Sequence, residues 1–162
     1  MIRRAAVRRA LCGDVAALLE LCAEHAAFER AFYRAEGKAD RLSAALTGDP
    51  PRLRAWIATV GEDVVGYATA TEEFSTWDAA PFLSMDCLFV RPPHRGGGIG
   101  AALLGAVIAA AREGCLAEVR WQTPAWNTDA SRFYRRHDAV ARDKTSFSLA
   151  LRSGDGQGRG RQ

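Results

Sequence analysis

Val90-Arg-Pro-Pro-His-Arg-Gly-Gly-Gly-Ile-Gly-Ala-Ala-Leu-Leu104 decides how the rest of the chain is read. The apolar run from Leu83 to Val90 has the composition of a strand, and Pro92-Pro93 marks a turn. A glycine cluster follows, and then an alanine-rich segment with helical spacing. The four glycines between Arg95 and Ala101 (Gly96, Gly97, Gly98 and Gly100) let the backbone approach a ligand closely and take positive φ. A helix beginning near Ile99 turns its first, unpaired N–H groups towards that cluster. Those donors, with the helix dipole, suit phosphate oxygens. Arg95 adds a fixed positive charge at the mouth. The stretch reads as a diphosphate-binding turn; the plainer alternative is a glycine hinge between strand and helix.

Two common nucleotide motifs do not fit. Gly98-Ile99-Gly100 is too short for a dinucleotide fingerprint, because no third glycine or alanine follows it at the required spacing in combination with an acid ~20 residues on. No Gly-Lys-Ser/Thr follows, so the turn is not a P-loop. What remains is Arg95-x-x-Gly98-x-Gly100 after a strand.

Bulk properties fit that reading. A length of 162 residues suits one domain, 1–152, followed by a Gly/Arg-rich tail, 153–162, expected to be disordered. With 48% apolar and 25% charged residues the composition is that of an ordinary globule. A net charge of +3 accommodates an anionic cofactor without demanding nucleic acid. The tail's few arginines, with no aromatic residues between them, fall short of a nucleic-acid-binding patch. Cys12, Cys22, Cys87 and Cys115 form no Cys-x-x-Cys pair and have no histidine array nearby, so no metal site is expected. No run approaches the ~18 apolar residues of a membrane span, and Met1-Ile-Arg-Arg does not open a signal peptide. A reduced, cytoplasmic protein with no membrane partner is the expectation.

Along the chain, residues 3–8 predict a first strand, and Asp14 is placed to cap a helix starting at Val15. That segment ends in Glu24, His25, Phe28, Glu29, Phe32 and Tyr33. His25 and Glu29 read either as a solvated face or, with the aromatics, as the lining of a pocket for a cation. A short helix is expected over 40–46, then a hairpin of strands 53–60 and 64–71. A loop follows with Glu72, Glu73, Trp77 and Asp78, either functional or plain surface. Strand 82–90 carries Asp86 among apolar residues, where a carboxylate is costly to bury unpaired. Asp86 is either an exposed acid on an edge strand or an acid that binds or deprotonates an amine. Helix 99–112, stopped by Gly114, precedes a strand near 118–123, an Asn127- or Thr128-capped helix and a closing strand over 143–151.

Arg95-x-x-Gly98-x-Gly100 together with Trp126-Asn127, Ala130 and Phe133-Tyr134, in that order, resembles the GCN5-related N-acetyltransferases (GNAT) over residues 3–151. Phe28-Glu29, the segment 74–78, Met85-Asp-Cys-Leu-Phe-Val-Arg and Trp126-Asn127-x6-Tyr134-Arg-Arg look most like the diamine and thialysine acetyltransferase group. That group has two successive acids where this chain has Asp86-Cys87, and often glycine where Asp138 stands. The resemblance implies an α/β (α+β) GNAT fold. Its central sheet is mixed, mostly antiparallel and twisted, with about six to seven strands flanked by about four helices and splayed at the acetyl-CoA site.

The function so implied is transfer of acetyl from acetyl-CoA, without a metal, to a primary amine of a small cationic substrate by direct attack. Alternatives are a protein or peptide N-acetyltransferase and a non-catalytic acyl-CoA sensor. Acetyl-CoA would lie against Leu88, Phe89, Val90, Arg95, Gly96, Gly97, Gly98, Ile99, Gly100, Ala101, Asn127 and Tyr134. The amine would meet Phe28, Glu29, Trp77, Asp78 and Asp86. Glu29 or Asp86 would take its proton and Tyr134 would protonate the leaving thiolate, although Tyr134 also reads as a packing aromatic. An acyl-cysteine route through Cys87 lacks an activating histidine nearby in sequence. A homodimer is expected from the same resemblance.

Overall fold

The computed structural model describes residues 5–151, which fall into two compact units, 5–124 and 125–151. The Gly/Arg-rich tail, 153–162, lies outside the described residues.

The first unit is a five-stranded sheet in the order β1 (Ala5–Arg9), β2 (Arg54–Val60), β3 (Asp63–Ser75), β4 (Ala80–Val90) and β5 (Val119–Trp121). The first four strands pair antiparallel, as hairpins and short connections allow, and β4 pairs parallel with β5. The parallel step needs a crossover, supplied by α3 (Ile99–Glu113). Helices α1 (Val15–Phe28) and α2 (Lys38–Thr47) pack together. Strand alternation separates the two faces. Ile57, Tyr67 and Phe89 join Leu18 and Leu21 of α1 in one buried cluster. Trp56 instead lines a cleft with Ala106, Ala109 and Ala110 of α3. On α3 the buried stripe is Ile99, Leu103, Leu104, Val107 and Ala111, at helical spacing.

Sheets covered on both faces leave little polar surface inside, and β3 shows it: residues Val65 to Ala70 are all buried. Gly66 has a steric role there. A Cβ at this position would lie 2.8 Å from the Phe89 carbonyl oxygen and 3.2 Å from a Val90 methyl, so only glycine lets β3 and β4 approach.

The mixed α/β class and the flanking helices agree with the sequence, but among the described residues the sheet has five strands where six to seven were expected. Residues 143–151 form no strand, and Phe147, Leu149 and Leu151 are exposed. Their alternation defines a face, whereas a strand also needs a neighbour to pair with. The expected loop after residue 71 is shorter than read, because β3 runs on to Ser75 and turns at 76–79. Asp14 caps no first turn of α1. It reaches back instead, accepting from Leu11 N at 2.7 Å and pairing with Arg8 at 2.7 Å. Among the described residues no helix is long and apolar enough to cross a membrane, and no group of three or more metal-ligating side chains is found.

In the second unit, α4 (Thr128–Arg135) starts at Asn127, whose side chain accepts from Ala130 N at 3.1 Å, as the sequence predicts.

Candidate active site

Strand β4 is held unequally by its two neighbours. Its register with β3 passes from Thr69–Cys87 to Ala70–Met85, which leaves Asp86 opposite no residue, a β-bulge. Its pairing with β5 involves only Leu83, Ser84 and Met85. From Asp86 to Val90, among the described residues, no strand lies along the outer edge of β4.

The direction of the free backbone groups follows from alternation. Arg91 N donates to Val65 O at 2.9 Å, so the Val65–Arg91 position is a hydrogen-bonded pair. The adjacent opposed pair, Gly66–Val90, is then non-bonded, and so is Ala68–Leu88. Leu88 and Val90 therefore aim their N–H and C=O groups away from β3, towards the open edge. The Val90 carbonyl confirms the direction, since it accepts from Arg95 Nε at 2.8 Å.

Beyond β4 the chain makes a short turn over Pro92–His94 and enters the glycine cluster. Gly96 (φ 80°) and Gly98 (φ 83°) lie in the left-handed region, and Gly98 is the N-cap of α3 with no side-chain cap. The space where a Cβ would stand at Gly96, Gly97 and Gly98 is open to 4 Å. A bare, uncapped helix start of this kind fits the pyrophosphate of a nucleotide-like group. The turn is anchored from behind. Arg91 donates to Glu24 of α1 at 2.7–3.1 Å and to Val64 O at 2.8 Å. Arg95 does not project freely at the mouth: its guanidinium lies 4.7 Å from the Phe28 ring centroid and 5.5 Å from that of Phe89.

The end of α1 brings acids to the same region. Glu29 is the C-cap, one third exposed, and its Oε1 lies 3.2 Å from His25 Nε2. His25 Nδ1 lies 3.0 Å from the Tyr67 hydroxyl, and its ring stacks on Phe89 at 5.0 Å. Burial lowers the His25 pKa, while the charges of Glu29 and Asp86 oppose that shift. Burial, and then the charge of Asp86, pushes the Cys87 thiol up to about 12, so it is not a thiolate at neutral pH. Burial also raises the Tyr67 hydroxyl.

The sequence-derived residues thus divide. Phe28, Glu29, Asp86, Leu88, Phe89, Val90 and Arg95 gather around the open half of β4, and Gly96 to Ala101 continue from it into α3. Trp77 and Asp78 do not join them: they lie at the β3–β4 hairpin tip, eight residues before Asp86 in the case of Asp78. Asp78 is bound there to Arg120 at 2.6 Å and to Ser75 at 2.6 Å, and Trp77 is 98% exposed. In the second unit, Asn127 caps α4, and Tyr134 packs edge-on against Phe133 at 5.2 Å. Sequence reasoning gave His25 no firm role and passed over Tyr67 and Arg91. The four-residue spacing of His25 and Glu29 was the one available signal.

The sequence matches the acetyltransferase (GNAT) family over residues 15–138. It is 27% identical over 137 residues to a thialysine N-epsilon-acetyltransferase of Bos taurus, covering 80% of each chain. Its identity to the Caenorhabditis elegans protein of the same description is 26%, covering 83% of this chain and 82% of that one. Among solved structures, an aminoglycoside acetyltransferase from an uncultured soil metagenomic sample superposes with a TM-score of 0.77 at 19% identity, over 91% of this chain and 97% of that one.

Proposed function

The chain belongs to the acetyltransferase (GNAT) family, and we propose that it moves the acetyl group of acetyl-CoA to a primary amine of a small cationic molecule of the thialysine or polyamine kind. One observation carries the reading: the outward N–H groups of Leu88 and Val90 and the bulged Asp86 share the open half of β4, and the Glu29 carboxylate is tied to that half through His25, whose ring stacks on Phe89. Acetyl-CoA supplies the thioester, with its pyrophosphate on the turn from Gly96 to Ala101.

An ammonium has no lone pair, and a lysine-like amine has a pKa of ~10.4, so it must lose a proton before it attacks. Glu29 or Asp86 accepts that proton, directly or through water. The amine nitrogen then bonds to the acetyl carbon while the carbon–sulfur bond breaks. The N–H groups of Leu88 and Val90 stabilise charge developing on the carbonyl oxygen. Tyr134, assigned by its place in the Trp126-Asn127-x6-Tyr134 motif, gives its hydroxyl proton to the departing thiolate, and the second proton lost from the acylated nitrogen restores it, directly or through water. The products are the acetamide, free CoA and one proton. A homodimer is part of the reading, on the resemblance alone; sedimentation velocity tests it, and a monomer at micromolar concentration removes it.

The test is product identification by mass after incubation with acetyl-CoA and thialysine, lysine, spermidine, putrescine, an aminoglycoside or a short peptide. Acetylated thialysine or polyamine is the expected product. Acetylation of the peptide alone would replace this reading with a peptide acetyltransferase. No product with acetyl-CoA bound would leave a sensor.

A further inference from the structure

His25 is bonded through both ring nitrogens, and neither bond is used by the chemistry above. Tyr67 is 1% exposed, and its buried hydroxyl keeps its proton. A neutral phenol donates readily to an imidazole nitrogen, whereas a carboxylate only accepts. The two neighbours therefore select one tautomer. Nδ1 accepts from the Tyr67 hydroxyl at 3.0 Å, and Nε2 carries the hydrogen and donates it to Glu29 Oε1 at 3.2 Å. Stacking on Phe89, at 21° between ring planes, fixes the ring itself.

We infer that His25 is a positioning residue: held by Tyr67, it fixes the Glu29 carboxylate by one oxygen and leaves the other for the substrate ammonium. The inference rests on the reading of Glu29 as an acid in the amine site. The need for such a device is local. Glu29 ends α1, and the next residue, Arg30, turns left-handed at φ 58°, so no following turn of helix confines the side chain. A side chain that must find its own rotamer before each encounter loses affinity and orientation. The groups facing His25 are Glu29 from its own helix, Tyr67 from β3, Asp86 and Phe89 from β4, and Arg95 beyond β4. At neutral pH the imidazole is uncharged, so it orients Glu29 without competing as a cation for it.

The experiment uses full-length protein with thialysine and acetyl-CoA, comparing wild type, His25→Leu, His25→Gln, Glu29→Gln and the His25→Leu/Glu29→Gln double variant. The expected result is a loss on the order of 10-fold in kcat/KM for thialysine in His25→Leu, with KM for acetyl-CoA unchanged. His25→Gln, whose amide can still donate, recovers most of the loss. In the Glu29→Gln background His25→Leu costs nothing further. Losses that multiply independently, or a matching rise in KM for acetyl-CoA, overturn the inference. If Glu29→Gln alone leaves kcat/KM for thialysine unchanged, the assignment of Glu29 fails first and takes the inference with it. Should His25→Leu not fold, Tyr67→Phe releases the tautomer and gives the same test: a loss confined to thialysine and abolished by Glu29→Gln sustains the inference, and an additive one overturns it.

Discussion

A carboxylate set between apolar strand residues costs several kcal/mol if it is buried without a partner. Asp86 avoids that cost because the bulge leaves it exposed, close to the Cys87 thiol at 3.6 Å and within electrostatic reach of His25. In the proposed function that exposed charge meets the substrate ammonium. Asp86→Asn should lower kcat/KM for the amine on the order of 100-fold, read by initial-rate thiol release. Unchanged kcat/KM would remove Asp86 from the amine site. Cys87 is the contrasting residue: its raised pKa leaves a protonated thiol beside the same site. Cys87→Ala should therefore retain activity within a few-fold in the same assay, and abolition would revive a covalent role. Asp86 was legible as an anomaly in an apolar run. The bulge that exposes it was not, since a register shift is a property of two strands and leaves no mark on one.

Helices and strands meet constraints that their own sequences state only in part. The helix α3 ends one residue later than its glycine suggests. Gly114 is the C-cap, but the left-handed position belongs to Cys115 at φ 54°. Leu116 N then bonds Ala111 O at 2.8 Å and Cys115 N bonds Arg112 O at 3.0 Å, a Schellman closure. Arg30 after α1 and Asp138 after α4 are also left-handed, and Asp138 is where the resembling enzymes often carry glycine. Helix stops are read from glycine, and here Arg30, Cys115 and Asp138 take its place, so the sequence could not display them. Cys115→Gly should raise stability by about 0.5–1 kcal/mol, the relieved strain exceeding the added chain entropy. Chemical denaturation measures it; a lower midpoint would contradict the strain. Gly66→Ala acts oppositely. Its methyl meets the Phe89 carbonyl, so both stability and kcat should fall, and a variant matching wild type in both would show that β4 yields freely.

Over the whole molecule, charge and burial set a window of pH stability. His25 has its pKa lowered from 6.5 by burial, so the stability tied to its neutral form is complete above pH 6.5 and is lost as pH falls through the folded value. Cys87 is raised from 9.0 to about 12, so its share is complete below pH 9 and is lost as pH climbs towards 12. Cys87→Ala should flatten part of the alkaline limb in thermal melts; an identical limb would mean that the thiol is not held neutral. At this scale the sequence was most informative. Strand–turn–helix order, the glycine cluster and the Asn127 cap located the glycine turn that opens α3 and the start of α4. The extent of the sheet was not legible, because residues 143–151 show the alternation of a strand without the partner that makes one. The central claim is direct transfer in a ternary complex on the open half of β4. Initial rates of thiol release, with acetyl-CoA and thialysine both varied, test it most directly. Intersecting reciprocal plots are expected, and parallel plots, or no thialysine-dependent thiol release, would contradict it.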